Sequence, residues 1–166
     1  MAKATAKRKT KTTRAAARKS SARRLVKAAA KTRAKARRPH KQAFVASHLK
    51  DSTFEPGLRA YAHYRDLGIA KATGGLAQAH VIRLIGPCDP KEVSKRHYHD
   101  VDFQMIYVLK GWMTSEFEGE GRHTFHADSC WIQPPKIKHT VVGYSDDCEL
   151  LEIVLPADFK TVELTK

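Results

Sequence analysis

The first 50 residues of this chain contain no aspartate or glutamate, whereas they contain 18 lysine and arginine residues. A stretch that also has few bulky apolar side chains cannot bury enough surface to offset the entropy of ordering its backbone. Residues 51–166 carry 13 basic and 17 acidic residues, a net charge of −4. The contrast predicts a disordered basic tail over residues 1–43, a linker or lead-in over 44–60 and one folded domain over 61–166.

Cysteine and long apolar runs are also scarce. The three cysteines are odd in number and widely spaced, which favours reduced thiols in a cytosol over a disulfide framework. We interpret Cys130 and Cys148 as buried thiols. No apolar run approaches the ~20 residues that a membrane helix needs, and the N-terminus lacks the apolar segment of a secretory signal. These absences predict a cytoplasmic protein without a membrane span.

What the domain does contain is a series of short runs with strand-like composition, separated by turn residues. Many short strands with closely spaced turns are typical of an antiparallel sandwich or barrel, so the predicted fold class is all-β. We find no internal repeat and no long amphipathic helix after residue 60. The predicted strands are Gln78–Gly86, Gln104–Lys110, Trp112–Glu118, Arg122–His126, Ser129–Gln133, His139–Tyr144 and Cys148–Leu155.

The segment from His97 to Gln104 carries the most chemical information. His97 and His99 are two residues apart, so on a strand they share one face. Gln104 follows His99 by an odd number of residues and can rejoin that face only if a turn or bulge breaks the alternation between them. His139 begins a later strand. Three histidines and a glutamine gathered inside a barrel would offer nitrogen and oxygen donors to a metal ion.

These residues resemble the cupin family. Its first motif, G-x5-H-x-H-x3–4-E-x6-G, is matched in register from His97 to Gly111, with Gln104 where the family usually has Glu and without the leading Gly. Its second motif, G-x5-P-x-G-x2-H-x3-N, is matched in spacing at 128–143. There Pro134 and His139 are retained, while Asp128, Lys136 and Gly143 replace the two Gly and the Asn. The resemblance covers roughly residues 70–157.

The resemblance implies a double-stranded β-helix, or jelly roll, with one divalent metal ion in its mouth. Its ligands would be His97, His99, Gln104 and His139, and Fe, Ni, Zn, Mn or Cu would all suit such donors. A glutamine amide cancels no metal charge, so the metal should be more Lewis acidic and more attractive to an anion than with a Glu ligand. Some cupins that act on sugar acids are similar in having such a Gln.

Several other polar residues have ordinary structural interpretations. His80 lies in a predicted strand and in one of its two orientations would face the barrel interior. A single histidine in a strand is usually structural, so His80 is not assigned to the site. Asp100 and Asp102 are interpreted as turn formers, and His123 and His126 as surface residues.

Two function classes stay open. One is a metal-dependent oxygenase or isomerase acting on a small oxygenated or anionic molecule. The other is a ligand- or metal-sensing module without catalysis, because cupins serve both uses. An edge strand free to pair also suggests a homodimer. No nucleophile relay or carboxylate pair stands out, so the sequence favours the enzyme only slightly.

The basic tail resembles those of linker histones and some nucleoid proteins, and it predicts nucleic-acid binding through phosphates without sequence preference. No aromatic residue precedes Phe44, so base stacking is not expected. An organelle transit peptide is the alternative, although such peptides need an apolar face that is weak here. A nucleoid-associated location would follow from the first interpretation. The residues assigned to phosphate binding are Lys7, Arg8, Lys9, Lys11, Arg14, Arg18, Lys19, Arg23, Arg24, Lys27, Lys31, Arg33, Lys35, Arg37 and Arg38.

Overall fold

A computed structural model of the chain describes residues 41–57 and 59–164. The fifteen residues assigned to phosphate binding all lie outside the described residues. Within the described ranges, no helix is long and apolar enough to cross a membrane. The three cysteines are free; Cys148 is buried as predicted, but Cys130 is exposed, because its strand is the last of its sheet and has a neighbour on one side only.

The described residues form two antiparallel sheets that face each other, which confirms the all-β prediction. Apolar side chains alternate with polar ones along most strands, and the apolar faces of both sheets meet in a shared core. The strands are β1 (Glu55–Pro56), β2 (Ala62–Asp66), β3 (Gln78–Leu84), β4 (His97–Asp100), β5 (Phe103–Lys110), β6 (Trp112–Phe117), β7 (Gly121–His126), β8 (Cys130–Ile132), β9 (His139–Tyr144), β10 (Glu149–Leu155) and β11 (Lys160–Glu163).

One sheet has six strands in the order β1-β2-β3-β10-β5-β8, and the other has five in the order β11-β4-β9-β6-β7. Two four-residue helices, α1 (Ile69–Ala72) and α2 (Pro90–Val93), lie in the connections before β3 and β4. The Asp89 side chain accepts a hydrogen bond from the Lys91 N–H at the start of α2, as an N-cap does.

Strands β1, β2, β4 and β11 were not among the strands predicted from the sequence. Strand β1 comes from within the segment 44–60 that we assigned to the lead-in, and it pairs with β2. Ala43, the last residue of the segment assigned to the tail, donates its N–H to the carbonyl of Ala72, the last residue of α1, at 2.8 Å. Strands this short give almost no periodic signal, so only their pairing partners define them.

Glycine is required at Gly111, the last residue of the first motif. Its φ is +71°, and a Cβ there would lie 2.1 Å from Ser145 Oγ. The turn from β5 to β6 therefore excludes any side chain at this position.

The two positions that hold Gly in the family's second motif have a positive φ in this chain. Asp128 and Lys136 occupy those positions, and they are the two non-glycine residues with positive φ among the described residues, at 69° and 63°. A positive φ at a non-glycine residue carries some conformational cost at each of these two turns.

Candidate metal centre

The three histidines predicted as metal ligands come together on the five-stranded sheet. His97 and His139 are paired directly across β4 and β9, and His99 lies two residues along β4 on the same face. The ring centroids are 4.3 Å apart for His97 and His139 and 5.2 Å apart for His99 and His139. One nitrogen of each ring lies within 4.8 Å of the other two, close enough for one ion to lie between them.

Each of the three rings is held through its Nδ1 atom. Nδ1 of His97 donates to the Lys95 carbonyl at 2.7 Å, and Nδ1 of His139 donates to the Ile137 carbonyl at 3.0 Å. Nδ1 of His99 lies 2.9 Å from Thr161 Oγ1, on the neighbouring strand β11. Donation to the two carbonyls fixes the tautomer of His97 and His139 that keeps the lone pair on Nε2, which is how proteins orient histidine ligands for a metal.

The electrostatics of the pocket keep these rings neutral. Burial lowers the pKa of His97 below its ordinary value, that of His99 to about 4 and that of His139 to about 3. The rings also lower one another's pKa, because two positive charges at this separation repel. A neutral imidazole is the form that binds a metal ion. The tautomer, the charge state and the convergence of the donors therefore all fit a divalent metal.

Gln104 reaches the same pocket from the opposite sheet. The chain leaves the five-stranded sheet after Asp100 and enters the six-stranded sheet at Phe103, so the predicted break in alternation is a crossing between sheets. The side chain of Gln104 is buried. Its Nε2 donates to Glu152 Oε1 at 2.6 Å, and its Oε1 accepts from Gln133 Nε2 at 2.9 Å. Gln133 Nε2 also lies 3.1 Å from Nε2 of His139, so Gln133 bridges the Gln104 oxygen and the triad.

Sequence reasoning missed Glu152 and Gln133 and interpreted His80 as structural. Nε2 of His80 lies 2.7 Å from Glu152 Oε2, and both side chains are 13% exposed. A signal for Glu152 was present, since it is an acidic residue between Leu150 and Val154 on the inward face of an apolar strand. Only the neighbouring strands reveal what it pairs with.

A series of hydrogen bonds therefore runs from a side chain on β3 through β10 and β5 to the residue after β8. It ends at His139, the triad histidine on β9. We call this set the polar row: His80, Glu152, Gln104 and Gln133. Burial pushes the pKa of Glu152 upward, but the hydrogen bonds from His80 and Gln104 outweigh it. The pKa lies below its ordinary value, so Glu152 is a carboxylate.

The polar row and the triad line one cavity of about 700 Å³. Tyr64, Arg59 and Phe159 contribute to its wall, together with apolar residues such as Ile82 and Leu150. Asp100 faces away from this cavity: it is exposed, and its Oδ1 lies 3.3 Å from Lys136 Nζ. A mostly apolar pocket with a few converging polar groups is the usual form of a small-molecule site.

A model of the cupin domain family matches residues 88–154. A search of curated protein sequences found no match.

Solved structures with the same fold are similar over most of the chain. The polyketide cyclase RemF from Streptomyces resistomycificus has a TM-score of 0.60 at 15% identity, covering 75% of this chain and 87% of RemF. KdgF from Halomonas sp. has a TM-score of 0.54 at 17% identity, covering 69% of this chain and 94% of KdgF. The FeII form of HppE has a TM-score of 0.54 at 12% identity, covering 68% of this chain and 61% of HppE. Likeness at these identities establishes the fold only.

Proposed function

The chain belongs to the cupin superfamily, and from that premise we propose that it is a metal-dependent enzyme acting on a small oxygenated, anionic molecule, by oxygenation or isomerisation. The observation that carries the proposal is the convergence of three neutral histidines whose Nδ1 atoms are already engaged. A divalent ion held there would supply Lewis acidity next to the cavity. His97, His99 and His139 would hold it through nitrogen.

Gln104 is proposed as the fourth ligand, through Oε1. Glu152 supports this assignment, because a carboxylate can only accept and therefore takes the NH2 end of the amide. The carbonyl end then faces Gln133, which in turn contacts His139 of the triad. Since an amide leaves the metal charge uncancelled, the pocket should attract an anionic substrate.

The metal assignment is tested by metal analysis of the purified full-length protein. Wild type should contain about one divalent ion per chain, and H97A/H139A should contain almost none. The matched control is H123A/H126A, which changes two exposed histidines on β7. Circular dichroism checks that all three proteins are folded. Full metal content in folded H97A/H139A would contradict the assignment.

Turnover separates the enzyme from the sensing module. Protein loaded with the metal identified above would be screened with 2-oxo acids, hydroxy acids and sugar acids, following oxygen uptake and product formation by NMR. Conversion of any of these compounds supports the enzyme. A compound that binds unchanged and alters the affinity for DNA would instead support the sensor.

A second proposal, for the tail, is non-specific nucleic-acid binding. It is supported by 17 positive charges and no negative charge in residues 1–43, next to a remainder with a net charge of −4 over 51–166. If about half of these charges reach phosphates, the slope of log K against log salt on duplex DNA should be on the order of −7 to −8. Scrambling the DNA sequence should change little.

Removing residues 1–40 is the matched test, because it leaves in place the hydrogen bond from Ala43 to Ala72. The shortened protein should lose DNA binding while its metal content stays that of wild type. DNA binding that survives the deletion would contradict this division of roles, and so would a natural form cleaved near residue 40 inside an organelle.

A further inference from the structure

His80 and Glu152 form a pair on the wall of the cavity that faces the triad. They lie directly opposite each other on the adjacent strands β3 and β10, and both side chains point inward. The contact between His80 Nε2 and Glu152 Oε2 is 2.7 Å, in the range of a charge-assisted hydrogen bond. A histidine held in this way through one nitrogen presents the other nitrogen in a defined direction.

Glu152 is positioned more firmly than a single contact would allow. Its second oxygen accepts from Gln104 Nε2 at 2.6 Å, so both carboxylate oxygens are engaged and the group cannot rotate freely. Because an ionised carboxylate only accepts, it places the proton of a neutral His80 on Nε2. Nδ1 then carries the lone pair.

Nδ1 of His80 is the ring nitrogen that can exchange a proton with a bound molecule. Within the described residues no side-chain or backbone group is found hydrogen-bonded to it, and His80 lines the cavity. The neighbours on β2 do not compete for Nδ1. Tyr64 packs edge-on against the ring, at 5.2 Å between centroids, and Asp66 Oδ1 is engaged by the Gly68 N–H and by Gln78 Nε2.

The dyad is also close to the site where charge would develop. The Glu152 carboxylate acts electrostatically on all three triad histidines, raising their pKa values against the larger effect of burial. Three hydrogen-bonded contacts in series, through Gln104 and Gln133, connect it to His139. Because His80 and the triad line the same cavity, a molecule that fills it can touch both.

We infer that His80 is the general acid–base residue of this pocket, that Glu152 is its positioning residue, and that the substrate carries an acidic C–H next to a carbonyl, as a 2-oxo acid does. The inference rests on the proposed metal-dependent function and narrows its chemistry to proton transfer.

In the step, the proton of that C–H bond passes to His80 Nδ1, and the electron pair of the bond becomes the C=C of an enolate whose oxygen bears the negative charge. The proton on Nε2 stays there, and Glu152 balances the imidazolium. Return of the proton from Nδ1 to the carbon regenerates the base.

The experiment uses the full chain loaded with its metal and 2-oxobutanoate as the probe in D2O, with loss of the C3 proton signal followed by ¹H NMR. Wild type should exchange that proton faster than H97A/H139A. H80Q should exchange it at least 100-fold more slowly than wild type, at unchanged metal content. The matched control H63Q changes a histidine of β2 that does not line the cavity and should exchange at the wild-type rate.

E152Q adds a measurement that a purely structural role would not affect. Its amide can present either an oxygen or an NH2 to His80, so long-range ¹H–¹⁵N NMR should change from one His80 tautomer in wild type to a mixture. The exchange rate should fall about tenfold or more. E149Q, on the same strand, should leave the tautomer and the rate unchanged.

The outcomes distinguish the inference from the proposed function. H80Q exchanging at the wild-type rate overturns the role of His80 and leaves the metal centre standing. Wild type that holds its metal but exchanges no faster than H97A/H139A overturns the proton-transfer chemistry. Wild type that holds no metal overturns the proposed function itself.

Discussion

The polar side chains on the two walls of the cavity differ in their hydrogen-bond partners. On the five-stranded sheet, Nδ1 of each triad histidine contacts a group behind the ring, and one nitrogen of each ring is close enough to the other two for a single ion to lie between them. On and beside the six-stranded sheet, His80, Glu152, Gln104 and Gln133 bond to one another, and Gln133 also contacts Nε2 of His139. The first wall therefore fits a metal ion, while the buried polar groups of the second wall are satisfied mainly by hydrogen bonds among themselves.

The largest effect on stability should come from breaking the polar row. Glu152→Ala leaves the buried donors of His80 and Gln104 without their carboxylate and should lower the free energy of unfolding of the metal-free protein by about 3 kcal/mol. Glu149→Ala removes a carboxylate from the same strand, where it pairs with a partly exposed Arg83, and should cost under about 1 kcal/mol. Urea unfolding measures both. Equal losses would mean that the polar row contributes no more than a surface pair.

As the pH falls, the triad wall should lose stability at a higher pH than the polar row does. Because the pKa of His99 falls to about 4 in the fold, against about 6.5 when unfolded, the unfolded chain takes up protons first. Stability is then full above pH 6.5 and is lost as the pH falls toward 4. The pKa of Glu152 is also lowered, so its contribution is lost only below its ordinary pKa of about 4.5.

Replacing His99 by Gln tests this assignment. Between pH 7.5 and pH 5, urea unfolding of metal-free H99Q should show a loss of stability that is smaller than the wild-type loss by roughly 2 kcal/mol, the share of His99. A matched loss in H99Q and wild type would mean that other groups dominate the acid response.

Gln104 connects the two walls, and its charge can be changed with little change in shape. Gln104→Glu should still bind metal, but the added carboxylate offsets the charge of the ion, and it would also repel Glu152. Affinity for 2-oxobutanoate should fall about tenfold, as measured by calorimetry at matched metal occupancy. Unchanged affinity would argue against Gln104 as a ligand or near neighbour of the metal.

The smallest effect concerns the connection between the walls, from β8 to β9. Lys136 has a φ of 63° there, and its ion pair with Asp100 is exposed. Lys136→Gly should remove the cost of this conformation and stabilise the protein by about 1 kcal/mol. The control Lys138→Gly, two residues on, lacks a positive φ and should not stabilise. Stabilisation by both changes, or by neither, would contradict a local conformational origin.

Particular residues show how far sequence reasoning reached. The strand His139–Tyr144 was predicted with its observed bounds, and the shared face of His97 and His99 followed from their two-residue spacing. The expected break in alternation before Gln104 was correct, although its form as a crossing between sheets was not foreseen. Cys130 was misassigned as buried, because the sequence does not tell which strand lies at an edge.

The sequence by itself determined the strand periodicity, the family resemblance and the three-histidine spacing, since each depends on residues close together in the chain or on a fixed motif. Only the tertiary structure decided that Glu152 pairs with His80 and orients Gln104. Those residues lie 72 and 48 positions from Glu152 along the chain and meet because β10 is inserted between β3 and β5. Pairing between distant strands depends on packing over the whole domain, and no local pattern of residues encodes it.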